Sequence, residues 1–461
     1  MKLVKSLLLG SAAGIAAVAG ASAADLPSRK AAPVEYVRVC SAYGAGFFYI
    51  PGTDTCLRVG GRVRAEYTVG TRYGEGQDSY GTRARGRLNI DARTATAYGT
   101  LRTFFRYELT NSSGFYAGSI NGNQGIIAPG QARNLAASSF SAANLDLAFV
   151  QFGPITAGRA QSFFDFYAND YTFSTLRTAD SRLNLLAYTA TFGSGFSATV
   201  SLEDRNTGTQ TRENGVVSPA GVSAILGQDF PDVVASLRVD QGWGSAQLSG
   251  ALTQRNISNT GVLFNGSKDE MGFAVQAGVK INLPMLAAGD VLFLQAAYAD
   301  GALGYLGWGG QFGSGRQLTA GATQLTIADY SVNAINGATD SATGWSFVAG
   351  LRHFWTPQLR SELFASYSEL DLGYVLANQV AIGGVAPRPL DPKELILGAN
   401  LIWSPVSGLD IGVEVLYTRT ELKQAVLAAD NTGARPGLAA GGRLVKSDDA
   451  IAGRLRIQRD F

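Results

Sequence analysis

From Leu57 to Phe461 the chain repeatedly alternates apolar and polar residues with a period of two. That is the signature of strands whose two faces meet different surroundings. Near the carboxyl end Ile451, Gly453, Leu455, Ile457 and Phe461 share one face, and Ala452, Arg454, Arg456 and Gln458 share the other. Near the start Leu57, Val59, Val63, Ala65, Tyr67 and Val69 oppose Arg58, Arg62, Arg64 and Glu66. The following segment sets Ala84, Gly86, Leu88, Ile90 and Ala92 against Arg83, Arg85, Arg87, Asn89, Asp91 and Arg93. After a tight turn, Leu101, Thr103, Phe105, Tyr107 and Leu109 face away from Arg102, Arg106 and Glu108. Late in the chain Leu409, Ile411, Val413, Val415 and Tyr417 oppose Asp410, Glu414 and Thr418.

Extended along the chain, the pattern predicts sixteen strands, near 57–69, 83–95, 98–110, 143–152, 155–162, 184–192, 196–204, 231–240, 245–254, 269–281, 290–299, 343–355, 358–369, 392–403, 409–420 and 447–461. Their connections alternate in length. Short ones include Phe192–Gly195, Gln241–Gly244 and Trp355–Pro357; long ones include 111–142, 205–230, 300–342 and 421–446. Short periplasmic turns and long outer loops are the plan of an outer-membrane barrel.

Volume and charge decide which face points inward. Sixteen strands enclose more space than side chains can fill, so the interior must hold water or a plug. An arginine facing lipid at mid-depth costs about 2–4 kcal/mol, so the charged faces turn inward and the Leu, Val, Ile and aromatic faces meet lipid. Tyr67, Tyr107, Trp345, Trp355, Tyr367, Trp403 and Tyr417 lie near strand ends, as interfacial girdles require. The expected fold is all-β: a transmembrane antiparallel barrel of about 16 strands. A strand that closes the barrel and ends on Phe461 completes it.

Composition agrees. Glycine is frequent (57) and proline scarce (14), and 38 basic against 36 acidic side chains give a net charge of +2, which excludes a dedicated nucleic-acid binder. Lys2 and Lys5, an apolar stretch from Leu7 to Ala19, and Ala21-Ser22-Ala23 form a secretory signal, so residues 1–23 are expected to be removed. Beyond them no window approaches the roughly 18–20 apolar residues of a membrane helix. Residues 24–56 then form a periplasmic segment carrying both cysteines, Cys40 and Cys56, and residues 57–461 form the barrel. Export to an oxidising compartment favours a disulfide between the two, stabilising by about 3 kcal/mol for a loop of about 15 residues. Catalysis is not expected. The only histidine, His353, lies in phase with Trp345, Phe347, Ala349 and Leu351 on the lipid side, and no phosphate loop, zinc spacing or cysteine nucleophile appears. No cofactor or metal is expected either.

The segments from Val39-Cys40 through Cys56-Leu57-Arg58-Val59-Gly60-Gly61 and from Gly158 to Phe166 resemble the porin family of alphaproteobacteria, the Brucella and Rhizobium type. The likeness runs over the whole mature chain, with Ser41 standing where an acidic residue is expected. It implies a sixteen-stranded, homotrimeric, general-diffusion channel in the outer membrane, in contact with lipid and lipopolysaccharide and passing ions and small hydrophilic solutes. It also implies that the loop at about 163–183 folds into the barrel; the loop's wealth of aromatics independently requires that it pack against something.

That loop carries Asp165, Asp170, Arg177 and Asp180, and the nearest wall strands carry Arg62, Arg64, Arg83, Arg85, Arg87, Arg102 and Arg106. An acidic loop against a basic wall would set a transverse field across a constriction. The plainer reading makes Asp165 and Asp170 structural partners that hold the loop. Excess wall arginine points to mild anion preference. The rival functions are a substrate-selective sugar or anion porin, whose lumen wall should carry an aromatic slide that is not seen, and a structural or adhesin barrel without an open pore. Small outward residues such as Ala84, Gly86 and Ala92 suit close packing in an oligomer.

Overall fold

A computed structural model describes residues 38–71, 79–114, 139–205, 214–217, 224–225, 228–260, 265–308, 319–320, 323–324, 327–333, 337–375, 388–428 and 443–461. The expected signal sequence lies outside the described residues.

Among the described residues, sixteen antiparallel strands close into one barrel. They are β1 (Cys56–Gly70), β2 (Tyr80–Thr96), β3 (Gly99–Gly114), β4 (Ser139–Phe152), β5 (Ile155–Gln161), β6 (Arg182–Gly193), β7 (Phe196–Glu203) and β8 (Asp232–Gln241), followed by β9 (Gly244–Thr260), β10 (Asn265–Asn282), β11 (Val291–Asp300), β12 (Thr343–Thr356), β13 (Leu359–Asp371), β14 (Lys393–Val406), β15 (Leu409–Ala428) and β16 (Arg443–Asp460). Each pairs with its neighbours in sequence, and β16 returns to β1 through the register Arg62↔Asp460 to Gly70↔Ala452. Closure leaves no membrane-level edge with unpaired N–H and C=O groups, a condition for crossing lipid in strands. Phe461 completes the seam: its N–H donates to the Gly61 carbonyl at 3.0 Å, and the Gly61 N–H donates back at 2.8 Å.

Several strands overrun their expected ends on the long-loop side, most of all β9 and β15. Ribbon pairing continues there, for instance Thr260↔Asn265 and Ala428↔Arg443, because antiparallel partners keep exchanging hydrogen bonds wherever the chain stays extended. Loss of the apolar alternation hides that extension from a sequence reading.

Outward residues are apolar and uncovered, among them Val59, Val63, Leu109, Tyr188, Leu248, Leu363 and Val415. Of the expected girdle, Tyr67, Trp345, Trp355 and Trp403 are exposed on this face. His353 lies near the end of β12, close to a short turn. Its Nδ1 lies 2.6 Å from the buried Asp290 carboxylate, and its ring meets Trp355 edge-on at 4.5 Å.

The two cysteines are bonded, with Cα atoms 5.9 Å apart. The bridge holds a hairpin in which Phe48–Tyr49 pairs with Cys56 and Leu57 at the start of β1. Arg93, which follows the inward Asp91 along β2, lies over the Phe47 and Tyr43 rings, so the hairpin sits on the inner side of the short-turn end.

Candidate functional site

Cross-strand pairing carries the identity of the inner face around the barrel. Glu362 pairs with Asn400, Asn400 with Glu414, Glu414 with Arg454, and Arg456 with Glu66. Glu66 pairs with Arg83, and Arg64 with Arg85. One of these, Glu414, accepts hydrogen bonds from Phe173 N (2.5 Å) and Ser174 Oγ (2.7 Å) in the loop between β5 and β6, so that loop lies inside the barrel. We call residues 162–181 the inward loop.

The half of the wall from β9 to β15 is built to hold it. Gln247 Nε2 donates to the carbonyls of Phe163 (3.2 Å) and Asp165 (3.1 Å), and Gln276 Nε2 to that of Phe164 (2.8 Å). Gln295 accepts from Tyr167 N and donates to Thr178 Oγ1. Asn400 Nδ2 donates to the Tyr171 carbonyl. A loop removed from water needs such partners for its backbone, and amide side chains supply both donor and acceptor. Between these bonds Phe166, Tyr167, Tyr171 and Leu176 pack on Phe293, Val348, Phe364, Ile396 and Leu416 of the wall. The loop approaches so closely that a Cβ on Gly278 would lie 2.3 Å from Phe166, and one on Gly412 would lie 2.6 Å from Phe173.

The opposite half, β16 through β4 with β6, is the arginine wall. Its carboxylates are shared: Glu66 contacts Arg83 (2.5 Å), Arg456 (2.7 Å) and Arg454 (3.8 Å), and Glu108 contacts Arg87 (2.5 Å) and Arg85 (3.4 Å). Asp91 serves Arg93 and Arg102, and Asp146 serves Arg106 and Arg182. Arg62 has Asp460. Among the described residues Arg64 meets no carboxylate within ion-pair distance; Nε and Nη2 both donate to Gln458 Oε1, at 3.0 and 2.8 Å. Directly opposed like charges such as Arg64↔Arg85 and Arg62↔Arg87 are unfavourable in a sheet, so this surface carries uncompensated positive charge. Arg62, Arg85, Arg87, Arg102 and Arg106 all keep part of their side chains open to the interior.

The four loop residues singled out from sequence separate into two kinds. Asp165 is buried and accepts from Ser181 N (2.7 Å) and Gln161 Nε2 (2.6 Å); it fastens the base of the loop and does not line an opening. Arg177, 1% exposed, is likewise an anchor, with Nε and Nη2 on the Glu394 carboxylate at 2.6 and 3.1 Å. Both point away from water because the wall behind them offers partners, which loop sequence alone does not reveal. Asp180 is reached by Asn169 Nδ2 at 3.2 Å and lies 3.7 Å from Arg182.

Asp170 alone of the four is exposed. Bulk water is nevertheless displaced around it by the loop and the wall, which pushes its carboxyl up to about 6; Asp180 adds to the rise, and Lys280 and Arg352 oppose it. Its basic neighbours are therefore Lys280 and Arg352, on β10 and β12, two residues the sequence reading did not select. Ala168 and Asn169 precede it with φ of 45° and 58°, a left-handed pair held by the Asn169 side chain, which accepts from Leu176 N at 2.7 Å.

Comparison with known proteins places the molecule. A family model described as a porin subfamily matches residues 25–439. The porin Omp2b of Brucella canis is 33% identical over 335 residues, spanning 70% of this chain and 82% of that one. Omp2b of Brucella suis is 32% identical over 345 residues, spanning 70% and 81%. Among solved structures, the outer membrane channel DcaP of Acinetobacter baumannii superposes with a TM-score of 0.60 at 15% identity, covering 90% of this chain and 99% of that one; this likeness concerns the fold.

Proposed function

Because the chain belongs to the porin subfamily and is a channel of the Gram-negative outer membrane, we propose that ions and small hydrophilic solutes cross it passively along the arginine wall, through the part of the lumen the inward loop leaves open. The short-turn end faces the periplasm and the long loops face outward. Asp170, with Lys280 and Arg352 around it, lines one side of the passage. The other side carries Arg62, Arg64, Arg85, Arg87 and Arg106. Asp165 and Arg177 hold the loop in place and never meet the permeant.

The observation that carries this reading is the imbalance of the open wall, where arginines share carboxylates and Arg64, among the described residues, meets none. Fixed positive charge beside a narrow, low-dielectric passage concentrates anions there, so the channel prefers anions. The same wall favours anionic members among the small solutes it admits. No catalytic step belongs to this reading. We also propose that the barrel assembles as a homotrimer in contact with lipid and lipopolysaccharide, on the support of the family and of the small outward residues Ala84 and Gly86, both exposed on β2.

Single-channel current of the refolded protein in a planar bilayer under a KCl gradient tests the proposal. Large ohmic steps with a reversal potential of anion-preferring sign are expected. Absence of steps from folded protein would leave a structural or adhesin barrel as the better account. Steps with a cation-preferring reversal would retain the channel and reject the arginine wall as the dominant charge.

A further inference from the structure

Inside the barrel the inward loop is backed by a second piece of chain. Residues 301–308, which follow β11, turn into the lumen. Ala302, Leu303, Tyr305 and Leu306 are completely buried, and Trp308 is nearly so. The backbone is fixed where the turn begins: Gly301 N donates to Ala342 O at 2.9 Å, and Leu303 N to the buried Asp329 at 2.9 Å. The Tyr305 hydroxyl donates to Asp232 at 2.8 Å, and its ring meets Phe164 of the inward loop edge-on at 4.7 Å.

The contact is tightest at Arg177. Its Nη1 donates to the Gly307 carbonyl at 3.0 Å, and its guanidinium lies 3.7 Å from the centre of the Trp308 ring. Trp308 is itself held by its indole N–H on Ser368 Oγ at 2.8 Å. Gly307, at φ +79°, sits so near the inward loop that an added Cβ would fall 2.7 Å from both Thr178 N and Thr178 O. A buried arginine is costly unless every face of it is answered. Here one edge is taken by Glu394, another by a carbonyl of the second turn, and a face by the indole of that turn.

We propose that the turn 301–308 is a positioning element for the channel, setting its calibre by clamping Arg177 and so fixing how far the inward loop stands from the arginine wall. Trp308 and Gly307 are its positioning residues. The inference rests on the conduction reading above and adds to it a second determinant of pore size, remote in sequence from the inward loop. Loss of the clamp leaves the loop tied at Glu203, Gln247, Asn400 and Glu414, and leaves Arg177 held at Glu394, so the stretch around Arg177 and Thr178 is the part that can shift.

Trp308→Ala is compared with the parent protein for single-channel conductance, open-channel noise and the size limit for uncharged polymers, alongside thermal unfolding of the barrel. The variant is expected to show roughly 1.5- to 2-fold higher conductance with more noise and a larger size limit. Barrel melting should be unchanged, and Trp308→Phe, which keeps a ring under Arg177, should fall close to the parent. Parental conductance, noise and size limit in Trp308→Ala overturn the proposal, as do changes that appear only together with a lowered melting temperature. If Trp308→Ala does not fold, Gly307→Ala is read in the same assays, because its Cβ must lift the turn off Thr178; parental currents there overturn the proposal equally. A parent protein without steps would instead refute the conduction reading, so the two failures are distinguishable.

Discussion

Asp170 titrates in a range where the pore can be studied without unfolding it. Its carboxyl is raised from 3.8 to about 6 chiefly by loss of surrounding water, so it is anionic at pH 7.5 and largely neutral at pH 5. Removing that negative charge leaves Lys280 and Arg352 less compensated. Anion preference, measured as reversal potential, should therefore increase as the pH falls, with a midpoint near 6, and Asp170→Asn should hold the low-pH value throughout. A parallel titration in the variant would show that another group is responsible. The linkage has the opposite sense to that of a salt-bridged carboxylate. The folded form binds the proton more tightly than the unfolded one, so this group's contribution to stability declines as the pH rises from about 4 to 6. Neither its pKa nor its direction was legible in sequence. Alternation assigns a face to every strand residue, and it set the arginines of β1 to β3 on the inner face. In the loop there is no period to read; the nearness of Asp165 to the strand end set it behind Asp170 as a lining residue, but nothing local marked Arg177 as an anchor.

At the scale of elements the strands were the legible part. Leu57 to Val69 and Arg83 to Ala95 alternate so regularly that a slip of one residue would put arginine in lipid, and the register Arg64↔Arg85 is pinned by that cost. What escaped was the holding surface of β9 to β15. Its members, Gln247, Gln276, Gln295 and Asn400, are uncharged residues among small and apolar ones, and nothing local marks them as backbone partners for a loop far away in sequence. Glycine gave a usable signal that was passed over: Gly278 and Gly412 interrupt inward phases where bulk would otherwise be expected. Gly278→Leu should displace Phe166 and push the loop toward the arginine wall, lowering conductance while the barrel still forms; unchanged current would mean the loop yields elsewhere. The amino-terminal hairpin makes a separate prediction. The cysteines lie 16 residues apart, so replacing both by serine should remove about 3 kcal/mol on the chain-entropy model. Denaturant midpoints should fall for the parent under reducing conditions and be indifferent to reductant in the variant.

For the whole molecule the question is whether charge or calibre governs what passes, and salt separates the two. The inward loop and the turn 301–308 pack against one half of the inner wall, and on the proposed reading the permeant passes along the arginine half. If the wall's excess charge sets ion preference, its reach is the Debye length, about 10 Å at 0.1 M and about 3 Å at 1 M. At the lower concentration the potential of Arg62, Arg64, Arg85 and Arg87 reaches about 10 Å into the passage. At the higher one it clings to the wall, and ions in the middle no longer feel it. Anion preference should therefore be marked at 0.1 M KCl and weak at 1 M, whereas preference imposed by steric fit would persist at both. Arg64→Gln offers the internal control. Because Arg64 pairs with Gln458 and, among the described residues, with no carboxylate, its removal takes no ion-pair partner from a described buried anion. It should reduce the low-salt preference without loss of barrel stability, while leaving the high-salt value near that of the parent. Arg83→Gln, by contrast, takes a partner from the buried Glu66 and should cost stability as well as selectivity. If Arg64→Gln changed the two salt conditions alike, the wall would be acting through shape, and the charge reading of this channel would have to be given up.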